Sequence, residues 1–426
     1  MELVVSANAR PLPTPLPYEG RRQILVPGFP KQIDSETELE AFILKKLNEM
    51  HAQSPKSAEQ LAFRIIHHTR LTPKILQYLR RKYLPNFSSL TWREDIFPAF
   101  SASLNTTIYS DHRSIQPYML KRSRIPISTF REILKDLDIS RRNLGERSNL
   151  ENEAAVQLYI HPIPNAILNL FRGRLTNMPE HLLKGQIANS GRCEFTIGFN
   201  GRLMLLFIEL KQELTNNHAH HSDIIAQVIG EADGADTSNC ANEFDGFPIH
   251  AVLTDGIHYE FYLVSFHTWS IYRGTGAIEV GIRPWQTNKS RISLPPDEQS
   301  PEYLPQLKII IELLFDTFMQ AYLNGIVAQL HYSARRARFQ NTEVGSGYSR
   351  RHSTGEWDRA HLIAIRAAET LRAAHTMRLE SPVEADKLAD LGVKQLFESA
   401  ACIPHPELDW SFLDDWDVRR EELMRI

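Results

Sequence analysis

The chain has 426 residues, 42% of them hydrophobic, and a formal net charge of −3. That length accommodates roughly two to three domains with sizeable cores, and the charge excludes a globally basic nucleic-acid binder while leaving room for local basic patches. Cys193, Cys240 and Cys402 are odd in number and far apart, which fits neither a disulfide framework nor a zinc pattern and suits a reducing compartment.

The opening MELVVSANARPLPTPLPYEG holds a short apolar patch with no basic segment before it, and Pro and Arg soon interrupt it. No signal peptide is expected. No uncharged apolar run reaches the length of about 18 residues that a membrane span needs, so an intracellular protein, nuclear or cytoplasmic and without a membrane partner, is expected. The Pro-rich start reads as extended. SETELEAFILKKLNEM then opens with Ser35 as N-cap and Glu38 three residues on, a capping-box pattern. SAEQLAFRIIHHTR, TPKILQYLRRKYL and STFREILKDLDIS follow as helices, the last with Ser128 and Glu132 near its start. Residues 1–144 therefore read as an extended and helical N-terminal region. In NLENEAAVQLYIHPIPNAILNLFRG, Pro162 and Pro164 split or kink a helix.

The period then changes. RCEFTIGF alternates, with Cys193, Phe195, Ile197 and Phe199 on one face and Glu194 and Thr196 on the other. Asn200-Gly201 is a strong hairpin signal, and RLMLLFIELK is the return strand. SDIIAQVIGEA reads as a short helix capped by Ser222; FPIHAVLT and IHYEFYLVSF flank Asp255-Gly256 as a second hairpin; SIYRG and AIEVGI form a third pair. Past the Pro-rich break at Leu294 to Pro305, LKIIIELLFDTFMQAYLNGIVAQL is a core helix, with Leu307, Ile311, Leu314, Phe318, Tyr322 and Ile326 at helical spacing. The basic, polar stretch SARRARFQNTEVGSGYSRRHSTGEW reads as a mobile linker, followed by a helix around RAHLIAIRAAETLRAAHTMRL and an acidic, aromatic tail. The fold class is α/β with mixed strand directions over residues 145–331, followed by a linker and helical tail over 332–426.

Why does the aliphatic strand end in Glu209-Leu210-Lys211? If Asn200 and Gly201 form a two-residue loop, Phe199 pairs with Arg202 and Glu194 with Phe207, and Glu194, Glu209 and Lys211 share one face. Glu194 and Glu209 are then diagonal neighbours, with Cα atoms roughly 7–8 Å apart. Two such carboxylates can hold a divalent cation; without one they repel each other and are costly to bury. An ammonium at Lys211 could hold a water or stabilise charge on a phosphate. A solvated strand end is the plain alternative, and the aliphatic run together with Glu194 weighs against it. Gln227 borders the apolar stripe of the following helix and could point across this site. Glu153, on the preceding helix, could face it too, or could be an exposed first-turn glutamate that favours the helix dipole.

Glu153, then GRCEF with Glu194, FIELK with Glu209 and Lys211, and AQ with Gln227, in that order, resemble the PD-(D/E)XK nuclease superfamily. FPIHAVLTDGIHYEFYLV resembles the strand pair after the Gln helix in a fungal branch, whose members occur alone or in Crinkler-type effector and mobile-element proteins. The resemblance covers roughly residues 148–330. It implies a restriction-endonuclease-like core, a mixed central sheet flanked by helices, here with helical N-terminal and C-terminal extensions. It also implies metal-dependent cleavage of DNA phosphodiesters, with Glu194, Glu209, Lys211, Gln227 and Glu153 as catalytic residues. Mg2+ or Mn2+ would be held by Glu194, Glu209 and the main-chain carbonyl of Leu210. The family usually has Asp where this chain has Glu194, one methylene longer. Two alternatives stand beside a deoxyribonuclease: an inactive member acting in nucleic-acid or protein binding, effector-like, and a nuclease acting on RNA.

Other signals are weaker. HAHH (His218, His220, His221) reads as a solvated loop and GTG at Gly274 to Gly276 as a hairpin turn. Three basic clusters are candidate nucleic-acid contacts: Lys121, Arg122 and Arg124; Arg141 and Arg142, with Arg147; and Arg335, Arg336 and Arg338, with Arg350 and Arg351.

Overall fold

The computed structural model describes residues 3–5, 22–24, 36–68, 78–79, 82–97, 99–100, 115–214, 218–275, 291–295, 297–340 and 354–403. Near the N-terminus, β1 (Leu3–Val5) pairs antiparallel with β2 (Arg22–Ile24). Helices α1 (Glu36–Gln53) and α2 (Pro55–His68) form where expected. They bury Ile43, Leu47, Ala62 and Ile65 in a small cluster that Leu79 and Tyr83 complete. The proposed cap Ser35 and most of the third expected helix lie outside the described residues.

The body of the protein is a mixed sheet between two helical layers. Its strands are β3 (Gln116–Met119), β4 (Leu175–Asn177), β7 (Phe195–Phe199), β8 (Leu203–Leu210), β9 (Ile249–Thr254), β10 (His258–Ser265) and β11 (Ser270–Thr275), in the order β3-β11-β10-β9-β8-β7-β4; β12 (Ile292–Ser293) adds to β10. A two-stranded ribbon, β5 (His181–Leu183) with β6 (Gly191–Cys193), lies apart. β7 and β8 are antiparallel, as are β9 and β10, so both turn signals mark real hairpins. β8 and β9 are parallel, and parallel neighbours need a crossover. Helix α6 (His218–Ala241) supplies it. Strand β3, unread in the sequence, pairs parallel with β11. AIEVGI, its expected partner, lies outside the described residues.

One face of the sheet carries Phe195, Ile197, Phe199, Leu206 and Ile208. It is covered by α3 (Ile127–Leu144), α4 (Glu153–Ile160), α5 (Pro162–Asn169), α7 (Tyr303–Gln340), α8 (Thr354–Met377) and α9 (Pro382–Cys402). The two prolines divide α4 from α5 as expected, with Pro162 opening the second helix. This cluster runs continuously from Leu120 to Ile403, across the expected boundaries at 144/145 and 331/332. Among the described helices, the stretch Tyr303–Arg335 of α7 is long and apolar enough to cross a membrane by length and composition. Of its most apolar window, 83% is buried inside the protein, which is the core-helix reading.

The opposite face carries Phe207, Leu253 and Tyr262 and packs against Ile225, Val228, Ile229 and Ala232 of α6. That helix runs far beyond the expected SDIIAQVIGEA, and Ser222 lies inside it instead of capping it. Its second half, GADTSNC, is rich in poor helix formers. Tertiary partners override that preference. Asp233 accepts the N–H groups of Gln186 and of Ile187 (2.7 Å), and Asn239 bonds both the N–H and the C=O of Met204 (2.8 and 2.6 Å). HAHH is the first turn of this helix, not a solvated loop. His221 is buried 3.3 Å from Glu260, which Arg273 and Arg291 also engage.

The basic clusters separate by burial. Arg122 pairs with Glu312 at 2.7 Å and the buried Arg124 with Asp386 at 2.7 Å. Their charge ties the segment before α3 to α7 and α9, which corrects their reading as open phosphate contacts. Lys121 is exposed; Arg141 and Arg142 pair with Asp138 along α3, and Arg335 pairs with Asp245. The Arg336 and Arg338 side chains lie outside the described residues. Arg147 is buried and donates to the main-chain oxygens of Asp255 and of Gln212 (2.9 Å). Arg147→Met should strand both carbonyls and cost about 3 kcal/mol. A urea midpoint equal to wild type would show that these bonds contribute nothing.

Candidate active site

The site begins with a turn. Asn200 and Gly201 both have positive φ (49° and 66°), and the Arg202 N–H reaches the Phe199 carbonyl at 3.2 Å. Left-handed backbone at both positions is what Asn-Gly tolerates. Yet Phe199 faces Leu203, not Arg202, and a bulge between Ile197 and Gly198 shifts the register again, so that Phe195 faces Ile208. Continued one step past the end of β7, that register brings Glu194 beside Glu209 rather than the expected Phe207, and the two carboxyls lie within hydrogen-bond reach. Each one-residue slip exchanges the faces of the strand, and two slips restore them. The expected pairing fails while the expected convergence survives.

Glu194 sits in a bend between β6 and β7. The bend breaks the alternation read from RCEFTIGF. Cys193 does not share a face with Phe195, Ile197 and Phe199; it packs with Met204, Phe207 and Ile229 under α6. At the bend, Glu194 Oε2 accepts the Leu210 N–H at 3.2 Å. The carboxylate takes the ladder donor that β7, having ended, leaves free.

Glu209 is 1% exposed. Its Oε1 accepts from Lys211 Nζ at 2.6 Å and from Gln227 Nε2 at 2.6 Å. The same Gln227 nitrogen reaches Glu231 Oε1 at 2.9 Å. Gln227 and Glu231 are one turn apart on α6 and so share a face. Glu231 is fully buried, and its Oε2, like Glu209 Oε2, meets no nitrogen or hydroxyl donor; only the neighbouring carboxyls, when protonated, lie within hydrogen-bond reach. Glu153, the first residue of α4 and half exposed, stands 3.9 Å from Lys211 Nζ, with Asn152 capping that helix through the Ala155 N–H. Thus Glu194, Glu209, Lys211 and Gln227 meet at one place with Glu153 at its rim. Sequence reasoning missed Glu231. The signal was present: an acid one turn after Gln227, set among Val228, Ile229 and Ala232.

The electrostatics follow from crowding. Burial, then the Glu209 charge, pushes the Glu194 carboxyl up to about 9. Burial and the neighbouring Glu231 push Glu209 up to about 8, and burial together with the Glu194 charge does the same to Glu231. Burial alone would lower the Lys211 ammonium; the adjacent Glu209 charge outweighs it and raises it, so Lys211 stays protonated. Once ionised, three carboxylates against one ammonium leave the site short of positive charge, and protons or a cation must make up the difference. The donor set is mainly carboxylate oxygen, which suits a hard divalent cation. Two of those oxygens are buried and reached by no nitrogen or hydroxyl donor, so the residues present fit such an ion. A scan against protein-family models and a search of curated proteins found no match to this chain.

Proposed function

We propose that this site hydrolyses nucleic-acid phosphodiester bonds with a divalent metal, and that DNA is the substrate. One observation carries the reading: Glu194, Glu209 and Glu231, from a strand break, a strand end and a helix, converge beside a single ammonium, with two buried carboxylate oxygens that no nitrogen or hydroxyl donor reaches. Such a cluster costs several kcal/mol unless a cation or protons neutralise it. The resemblance of the Glu194, Glu209-x-Lys211 and Gln227 pattern to PD-(D/E)XK nucleases supports the same conclusion. So does a mixed sheet in which the Glu-x-Lys strand is followed by the Gln helix and a parallel strand. On this reading the core is restriction-endonuclease-like.

Glu194, Glu209 and the Leu210 carbonyl would hold Mg2+ or Mn2+; in a strand the N–H and C=O of one residue face the same edge, and the Leu210 N–H already faces Glu194. When bound, the ion would offset the carboxylate charge, polarise the phosphoryl group and activate water. Lys211, charged and 16% exposed, faces developing negative charge on the phosphate and acts as an electrostatic partner, not a base. Gln227 orients Glu209 and Glu231 together through one amide nitrogen. Glu153 sits where it can orient Lys211 from the rim. Lys121, Arg141 and Arg142, at the surface, are the phosphate contacts retained from the basic clusters.

Three variants test the reading on one linear DNA duplex with magnesium. Lys211→Ala should lower the initial cleavage rate by about 10²-fold or more, the typical cost of one lost charge-stabilising donor. Glu194→Gln should also lose activity, because an amide is a poor magnesium ligand, whereas Glu194→Asp keeps the ligand type and should retain it. Wild-type rates in folded Lys211→Ala and Glu194→Gln would sink the nuclease assignment. Wild-type protein that cleaves neither DNA nor RNA with magnesium or manganese would favour a non-catalytic binding module.

A further inference from the structure

A buried free cysteine is ordinarily a small apolar packing residue. Cys193 packs among apolar side chains, but its sulfur does not face only them. Its Sγ and one carboxylate oxygen each of Glu209 and Glu231 all lie within 4.8 Å of one another. The thiol makes only long contacts, to the Phe195 and Ile208 carbonyls at 3.5 and 3.6 Å. The two carboxylates are 1% and 0% exposed, and each has an oxygen that no nitrogen or hydroxyl donor reaches. A tetrahedral ion with sulfur at about 2.3 Å and oxygen at about 2.1 Å sets its ligand atoms about 3.5 Å apart. The trio would need to close by at most roughly an ångström, which side-chain torsions can supply.

We propose that Cys193, Glu209 and Glu231 form a second cation subsite, selective for a thiophilic divalent ion of the zinc class over magnesium. It shares Glu209 with the Glu194–Glu209–Leu210 set and lies on its α6 side. Sulfur is the discriminating ligand: Mg2+ is a hard cation that demands oxygen, whereas Zn2+ accepts thiolate and carboxylate together. Binding replaces the S–H bond, and the O–H bonds of whichever of the two carboxyls is protonated, with bonds to the metal, and those protons leave to solvent. Three protein ligands leave one tetrahedral position open. Nothing in this proposal depends on phosphodiester cleavage.

Cobalt(II) is the probe, because a thiolate bound to it gives a near-ultraviolet charge-transfer band that oxygen ligands do not. The full-length protein titrated with cobalt should develop that band. Zinc should remove it at equimolar concentration, and magnesium at a hundredfold excess should not. Cys193→Ser should lose the band, and Glu231→Gln should weaken cobalt binding by at least about tenfold, with melting curves confirming that both are folded. Absence of the band in the wild type would overturn the proposal, and that result needs no variant. So would a band that persists in Cys193→Ser, which would come from Cys240 or Cys402, or displacement of cobalt by equimolar magnesium. Because no nucleic acid is present, a protein that shows the band but never cleaves overturns the nuclease reading alone.

Discussion

Glu209→Gln is expected to abolish magnesium-dependent cleavage and, at pH 9, where the neighbouring carboxyls ionise, to raise the melting temperature of the metal-free protein. The two effects have one cause. Glu209 lies at the centre of the cluster, held by Lys211 and Gln227 and crowded by Glu194 and Glu231. A neutral amide of the same shape can still accept from Lys211 and Gln227 through its oxygen. Its NH2 group would offer a donor to the carboxylates around it. Charge repulsion falls and a buried oxygen that no nitrogen or hydroxyl donor reaches disappears, both of which stabilise the fold. The amide is a poor ligand for a hard divalent ion, so the ion loses its central ligand and the reaction its main electrostatic support. A cleavage loss of about 10³-fold corresponds to roughly 4 kcal/mol of transition-state stabilisation. Initial rates and calorimetric melting of the same preparation provide both readouts. Wild-type cleavage in folded Glu209→Gln would remove Glu209 from the metal site; a lowered melting temperature would show that its charge is already compensated.

The second expected result is a fall in metal-free stability as pH rises from about 6.5 to 9. Glu194, Glu209 and Glu231 are pushed up to about 9, 8 and 8 in the folded protein. In the unfolded chain each returns to the ordinary glutamate range near 4.3. Folded pKa values above unfolded ones mean that the native state binds more protons across this window, so stability declines as pH increases and is greatest on the acid side. His250, buried neutral with its pKa pushed down to about 4, acts in the opposite sense, but only below its ordinary value of 6.5. Asp255, held down to about 2 against burial by its bonds to His258 and the Leu214 N–H, contributes only in stronger acid. The interval from 6.5 to about 8 therefore reports chiefly the glutamate cluster; the Cys193 thiol, pushed up by burial, adds in the same direction nearer pH 9. A saturating divalent ion takes the place of the protons, and its stabilisation should be larger at pH 9 than at pH 6.5. Thermal melts in EDTA and in magnesium or manganese across this range make the comparison. A flat or rising profile in EDTA would mean that the three carboxyls titrate normally.

Much of this site was legible because its signals are local. Asn200-Gly201 imposes left-handed backbone on a chain that must reverse there, so the β7–β8 hairpin follows from two residues. Period-2 alternation sends Glu209 and Lys211 to one face whatever they pack against. Pro162 divides α4 from α5 because it has no N–H and crowds the preceding turn. The apolar stripe of α7 specifies a helix that only a core can accept.

What the tertiary structure alone decided are matters of register, neighbour and burial. The bulge at Ile197/Gly198 falls inside β7, where a strand glycine is a local signal that went unread; the bend at Glu194 lies where the β5–β6 ribbon gives way to β7, and no local residue preference announces it. They turn Cys193 toward α6 and set Glu194 against the Leu210 N–H. Helix α6 extends through GADTSNC because Asp233 and Asn239 find backbone partners distant in sequence, and that extension anchors the helix that carries Glu231. Arg122, Arg124 and Arg147 read as a basic surface because arginines usually are one. Their partners Glu312, Asp386 and the Asp255 carbonyl come from elements remote in sequence, and burial converts them from candidate phosphate contacts into internal ties. Sequence carries each residue's chemistry and its short-range geometry. Which charges end up within hydrogen-bond reach of one another, and dry enough to shift one another's protonation, depends on packing between segments that the chain order keeps apart.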